Sequence, residues 1–165
     1  MTITDKQLLR LAARVGRHLM QTARCVCTAE SCTGGWIAKA LTDVAGSSQW
    51  FCEGLVTYSN EAKIRRLGVP RSLIARDGAV SEAVARAMAS GALERTGAQL
   101  AVAVTGIAGP DGAVPGKPVG TVWLCWAERR GGGMRLSARR TRLRGDRDTV
   151  RRKTVRLALK GLLER

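Results

Sequence analysis

Three apolar, strand-like runs in this chain each break off into a loop of small and hydroxyl residues. They are Ala29-Glu30-Ser31-Cys32-Thr33-Gly34-Gly35, Val56-Thr57-Tyr58-Ser59-Asn60-Glu61-Ala62-Lys63 and Val104-Thr105-Gly106-Ile107-Ala108-Gly109-Pro110-Asp111-Gly112. Small side chains at strand ends let backbone N–H groups approach a ligand, and loops carried by a rigid scaffold are where function concentrates. The three segments therefore read as one site, in an enzyme acting on a small phosphorylated ligand.

Apolar spacing sets these loops in an α/β order. Leu8, Leu9, Leu11, Ala12, Val15 and Leu19 fall at helical spacing, which predicts an amphipathic helix over residues 5–22. A buried strand follows at 24–29, a helix at 34–44 and a strand at 50–57. Ser59 is the expected N-cap of a helix through Leu67, Pro70 opens a short helical turn, and Ser81 caps a long helix to Thr96. Residues 99–105 form an apolar strand. Residues 119–128 and 134–144 pair as a hairpin, and Gly145-Asp146 starts a last helix to Leu163. With no repeat or linker, residues 1–165 make a single three-layer α/β/α domain. Its sheet is expected to be mixed and mostly parallel, about five strands ending in the antiparallel hairpin.

Composition excludes several classes. No run approaches about 18 uncharged apolar residues, and the first residues lack a basic segment followed by an apolar one, so no membrane span or secretion signal is expected and the chain reads as cytoplasmic. The five cysteines form no C-x-x-C pair and His18 is the only histidine, so no metal site is expected. Cys25, Cys27 and Cys125 read as small buried hydrophobes. The net charge of +15 raises the question of nucleic acid, and from Glu128 onward fourteen Arg or Lys face four acids. Aromatic residues that would stack bases are almost missing from that segment, which argues against it. Trp36, Trp50, Phe51, Trp123 and Trp126 suit either core packing or an interface.

The available chemistries narrow by subtraction. A Ser-His-Asp or Cys-His relay needs a histidine by the nucleophile, and His18 lies in the first amphipathic helix. Gly112-Ala113-Val114-Pro115-Gly116-Lys117 is one residue short of a phosphate-binding P-loop, and G-x-G-x-x-G is absent. A hydroxyl nucleophile with a base other than histidine is left. Ser31 sits past a strand end and before a Gly-rich helix start, where N–H groups and the helix dipole favour an oxyanion. Lys63 is the candidate base, its charged form disfavoured by the same kind of dipole and by burial against Tyr58, whose hydroxyl would bond either group and relay the proton. Cys32, intrinsically the better nucleophile, is the rival of Ser31.

The three loops, with Gly78-Ala79-Val80-Ser81, Lys117-Pro118-Val119-Gly120-Thr121-Val122 and the closing Gly145-Asp146-Arg147 with Val150-Arg151, closely resemble the C-terminal domain of the competence-damage-inducible CinA family. The resemblance runs from about residue 5 to 163. It implies an amidohydrolase that converts nicotinamide mononucleotide to nicotinate mononucleotide and ammonia with no metal or cofactor, in a self-associating protein. It also implies Ser31 as nucleophile, with Tyr58 and Lys63 as activating partners and Cys32 turned towards the sheet. Substrate contacts would come from Thr33, Gly34, Gly35 and Asn60, from the loop Thr105, Gly106, Ile107, Ala108 and Gly109, and from Arg144 and Arg147 as phosphate partners. Longer members carry a second domain associated with ADP-ribose pyrophosphatase chemistry, which this chain is expected to lack. Two other readings stay open at this stage, a silent nucleotide-binding domain and a basic nucleic-acid-binding protein.

Overall fold

The computed structural model describes residues 3–165. Along the chain run α1 (Asp5–Gln21), β1 (Val26–Glu30), α2 (Trp36–Thr42), a 3-10 turn (Ser47–Gln49), β2 (Phe51–Val56), α3 (Asn60–Leu67), α4 (Arg71–Asp77) and α5 (Glu82–Thr96). They are followed by β3 (Leu100–Gly106), β4 (Thr121–Arg130), β5 (Gly133–Arg142) and α6 (Arg147–Leu163). The expected caps are in place: Ser59, Ser81 and Asp146 each accept, through a side-chain oxygen, the N–H three residues on. The helix expected over 34–44 is confined to α2, because Gly34 and Gly35 have φ of 61° and 94°, left-handed values that keep the turn before it out of the helix.

The five strands form one sheet in the order β2-β1-β3-β4-β5. β1 pairs in parallel with both β2 and β3, and the β3–β4 and β4–β5 pairs are antiparallel, so four of the five strands share one direction. This is the expected mixed sheet. β1 leads to β2 on one side and β3 joins on the other, which places a topological switch point between β1 and β3. In open α/β sheets that point, at the carboxyl ends of the strands, is where ligands bind.

Side-chain alternation divides the core into two. Leu100, Val102 and Val104 of β3 face α1, α2 and α6, whereas Ala101 and Ala103 face α5. α5 presents Ala85, Ala89 and Ala92 to that second face, so small residues meet small residues and the helix lies close on the sheet. It also meets α3 closely: a Cβ at Gly91 would stand 1.9 Å from the Leu67 carbonyl oxygen. Trp50 and Trp126 are core residues at 1% and 5% exposure, and the Trp126 indole N–H donates to the Ala158 carbonyl at 3.0 Å. His18, half-buried on α1, borders Arg24 and takes no part in the three loops. Among the described residues no helix is long and apolar enough to cross a membrane.

Candidate active site

The parallel pairing brings the loops together. Glu30, the last residue of β1, is level with Val56 of β2 and Val104 of β3. The chain leaving all three strands therefore emerges at one edge, where the Ser31 N–H donates to the Val104 carbonyl at 3.0 Å and the Thr57 N–H to the Glu30 carbonyl at 2.8 Å. Between them lies a cleft of about 210 Å³. Ser31, Tyr58, Asn60 and Lys63 line it on one side, and Thr105, Gly106, Ala108 and Arg147 on the other. Ala79 and Val80, from the loop before α5, and Cys32, next to Ser31, complete the wall.

At the bottom, Lys63 Nζ is 3.0 Å from Ser31 Oγ. The same nitrogen donates to the backbone carbonyls of Thr57 at 3.0 Å and Tyr58 at 3.1 Å. Lys63 is 1% exposed, with no carboxylate among these partners. Burial holds its pKa below the ordinary 10.5, with the nearby Cys32 thiol acting in the opposite direction. A neutral amine here keeps two N–H donors for the two carbonyls and turns its lone pair to the serine hydroxyl.

Tyr58 does not sit as the sequence suggested. Its ring is 59% exposed, and its hydroxyl accepts from Arg147 Nη2 at 3.0 Å instead of bonding Ser31 or Lys63. The residue reaches Lys63 through its backbone carbonyl. Arg147 also donates to the Gly109 carbonyl at 2.8 Å, tying the second loop to the third across the mouth of the cleft. Arg144, expected beside it as a phosphate partner, is exposed and does not line the cleft; its carbonyl instead accepts from Lys153.

Cys32 packs into the core at 6% exposure, with its thiol pushed up to about 12 by burial and then by the Glu30 carboxylate. A thiol held that far from ionising is a poor nucleophile, so the environment favours Ser31.

Two residues that the sequence reading passed over build this turn. Glu30 is fully buried, and its carboxylate accepts from the Thr33 hydroxyl at 2.6 Å, the Ile37 N–H at 2.9 Å and the Ala38 N–H at 2.8 Å, with Thr28 Oγ1 at 3.3 Å. It caps α2 from a distance, since Gly35 at the N-cap position supplies no side chain. A lone carboxylate at the end of an apolar strand was the available signal. Arg151 of α6 donates from Nε to the Cys32 carbonyl at 3.2 Å and from Nη2 to the Thr33 carbonyl at 2.8 Å, and stacks 5.0 Å from the Trp36 ring centre. The family resemblance included it in Val150-Arg151 but gave it no role among the chain's twenty-two arginines.

Thr33, Gly34 and Gly35 shape the turn without lining the cleft, and Ile107 and Gly109 likewise stand behind its wall. The Gly34 N–H is spent on the Ser31 carbonyl at 3.0 Å. Among the described residues, the N–H groups of Cys32 and Thr33 have no acceptor within the protein. Two free amides thus directly follow the serine hydroxyl. No three His, Cys, Asp or Glu side chains cluster as a metal site would require, again among the described residues.

Comparison with known proteins places the whole chain. The family model of the CinA C-terminal domain matches residues 8–165. The chain is 56% identical to a nicotinamide-nucleotide amidohydrolase PncC of Pseudomonas putida, covering 93% of this chain and 94% of that protein. It is 52% identical to the protein of the same name from Escherichia coli K12, covering 97% and 95%. A crystal structure of the competence/damage inducible protein CihA from Agrobacterium tumefaciens superposes with a TM-score of 0.92 at 43% identity, over 100% of this chain and 99% of that one.

Proposed function

The chain belongs to the CinA C-terminal domain family, and from that premise we propose that it hydrolyses the carboxamide of nicotinamide mononucleotide to nicotinate mononucleotide and ammonia, with Ser31 as nucleophile and Lys63 as its base. The observation that carries the mechanism is the 3.0 Å contact between Lys63 Nζ and Ser31 Oγ in a buried setting.

Neutral Lys63 takes the Ser31 hydroxyl proton as Oγ attacks the carboxamide carbon. Negative charge collects on the carbonyl oxygen, for which the amide of Cys32, which lines the cleft, is the available donor. The ammonium of Lys63 then returns the proton to the departing nitrogen. Ammonia leaves, and Ser31 holds the nicotinoyl group as an ester. Water attacks the ester as Lys63 accepts its proton, and collapse of the second tetrahedral species hands that proton back to Ser31 and frees the carboxylate. The carbonyls of Thr57 and Tyr58 keep the amine aimed through both halves. No step calls for a metal or an organic cofactor. Arg147, at the mouth with its guanidinium exposed, suits the nucleotide phosphate.

Ammonia release measured on nicotinamide mononucleotide, the riboside and free nicotinamide tests the reading. A lost charge-assisted bond is worth about 1.5–3 kcal/mol, so the riboside is expected to be at least about tenfold poorer in kcat/KM. Equal rates on nucleotide and riboside, or no release from either, overturn it.

A further inference from the structure

We propose that Arg151 is a positioning residue for this reaction: by holding the carbonyls of Cys32 and Thr33 on the α6 side, it fixes the turn that presents the Ser31 hydroxyl and the Cys32 amide to the substrate. The inference rests on the amidohydrolase reading above and adds a residue that reaches the chemistry only through the backbone.

In a trans peptide the C=O and the N–H of one unit point in opposite directions. The Cys32 carbonyl is drawn to Arg151 Nε at 3.2 Å, so the Thr33 N–H, in the same peptide plane, is directed away from α6. The Ser31 carbonyl is drawn to the Gly34 N–H at 3.0 Å, which directs the Cys32 N–H away from that turn. Neither N–H meets an acceptor among the described residues. The second fork of the guanidinium fixes the next unit through the Thr33 carbonyl at 2.8 Å.

Arg151 is itself held. Its guanidinium stacks 5.0 Å from the Trp36 ring, and the neighbouring Val150 is fully buried in the α6 interface. A lysine offers one point charge in place of two donors in a rigid plane, so it cannot hold both carbonyls at once. Because Nε and Nη2 are committed to the backbone and Arg151 does not line the cleft, it is not placed to take the phosphate.

Arg151→Met and Arg151→Lys test this by steady-state ammonia release and by backbone amide relaxation. Displaced oxyanion donors cost about 10²-fold, so kcat is expected to fall by roughly that factor while KM for nicotinamide mononucleotide moves by less than about threefold. Guanidinium ion at non-denaturing concentration should restore part of the kcat of Arg151→Met and leave the wild type unchanged. Unaltered kcat, a raised KM with kcat retained, or a lowered kcat that guanidinium does not rescue overturns the proposal. Relaxation provides an arm that needs no turnover: the Cys32 and Thr33 amides should be rigid in the wild type and mobile in both variants. If the wild type released no ammonia, the amidohydrolase reading would fail, and amides equally rigid in all three proteins would separately sink the role of Arg151.

Discussion

Adjacent side chains with opposite surroundings decide the chemistry. Ser31 faces a buried amine, and Cys32 faces the core, its thiol pushed up to about 12. Ser31→Ala should therefore lower kcat by about three orders of magnitude or more with little change in Tm, whereas Cys32→Ala should cost about 1 kcal/mol of stability and change kcat only a few-fold. Kinetics and thermal melts on both variants check this, and a dead Cys32→Ala beside an active Ser31→Ala would reverse the roles. Lys63 supplies a second test through pH. Its pKa is lowered in the fold, so kcat/KM should rise with pH through that lowered value and then level off; Lys63→Arg, which stays protonated, should be inactive along the whole profile. The sign for stability follows from proton counting. Between the lowered value and the ordinary 10.5 the unfolded chain binds a proton that the folded chain does not, so Lys63 makes the fold more stable as pH rises through that window. Lys63→Met should remove that contribution, visible as the difference between the two proteins' Tm against pH. Ser31 and Lys63 were legible because other chemistries could be subtracted. The hydroxyl of Tyr58 was not, since its bond to Arg147 joins residues eighty-nine positions apart.

At the level of elements, the turn from β1 into α2 joins strand, nucleophile and helix through one carboxylate. Glu30→Gln keeps the shape, but a carboxamide places an NH2 among donors that now share four contacts with the carboxylate. The cost should be about 2–3 kcal/mol, read as a Tm lowered by several degrees, with kcat falling because Ser31 sits next in the chain. Unchanged stability would mean that the carboxylate's bonds are replaced by water at little cost. Strands, caps and helices were largely readable, since apolar period and capping residues are local signals. The distant cap was not: Glu30 lies six positions before the start of α2, and only the folded turn brings it to the Ile37 and Ala38 amides. Likewise no local signal announced that α5 would pass so close to α3 that a Cβ at Gly91 would stand 1.9 Å from the Leu67 carbonyl oxygen.

Across the whole molecule, the charge that first suggested nucleic acid is dispersed along an edge and a helix. Arg135, Arg139 and Arg142 are exposed on β5, an edge strand, where charged side chains discourage pairing with another sheet. The reaction centre draws only Arg147 and Arg151 from this basic stretch. On the proposed serine and lysine mechanism, activity should survive exhaustive chelation; loss with EDTA and recovery with zinc would displace the mechanism. Order in the sheet, the switch point and the convergence of three loops at one edge depend on which strands pair, and that is long-range information that periodicity lacks. The antiparallel hairpin carries a practical corollary. β4 starts level with Gly106 at the reactive edge and runs away from it, so the exposed Gly131-Gly132 turn stands at the opposite pole. A reporter peptide or a surface tether spliced there would leave the catalyst facing outward, which makes the protein suited to immobilisation as an ammonia-generating sensor element.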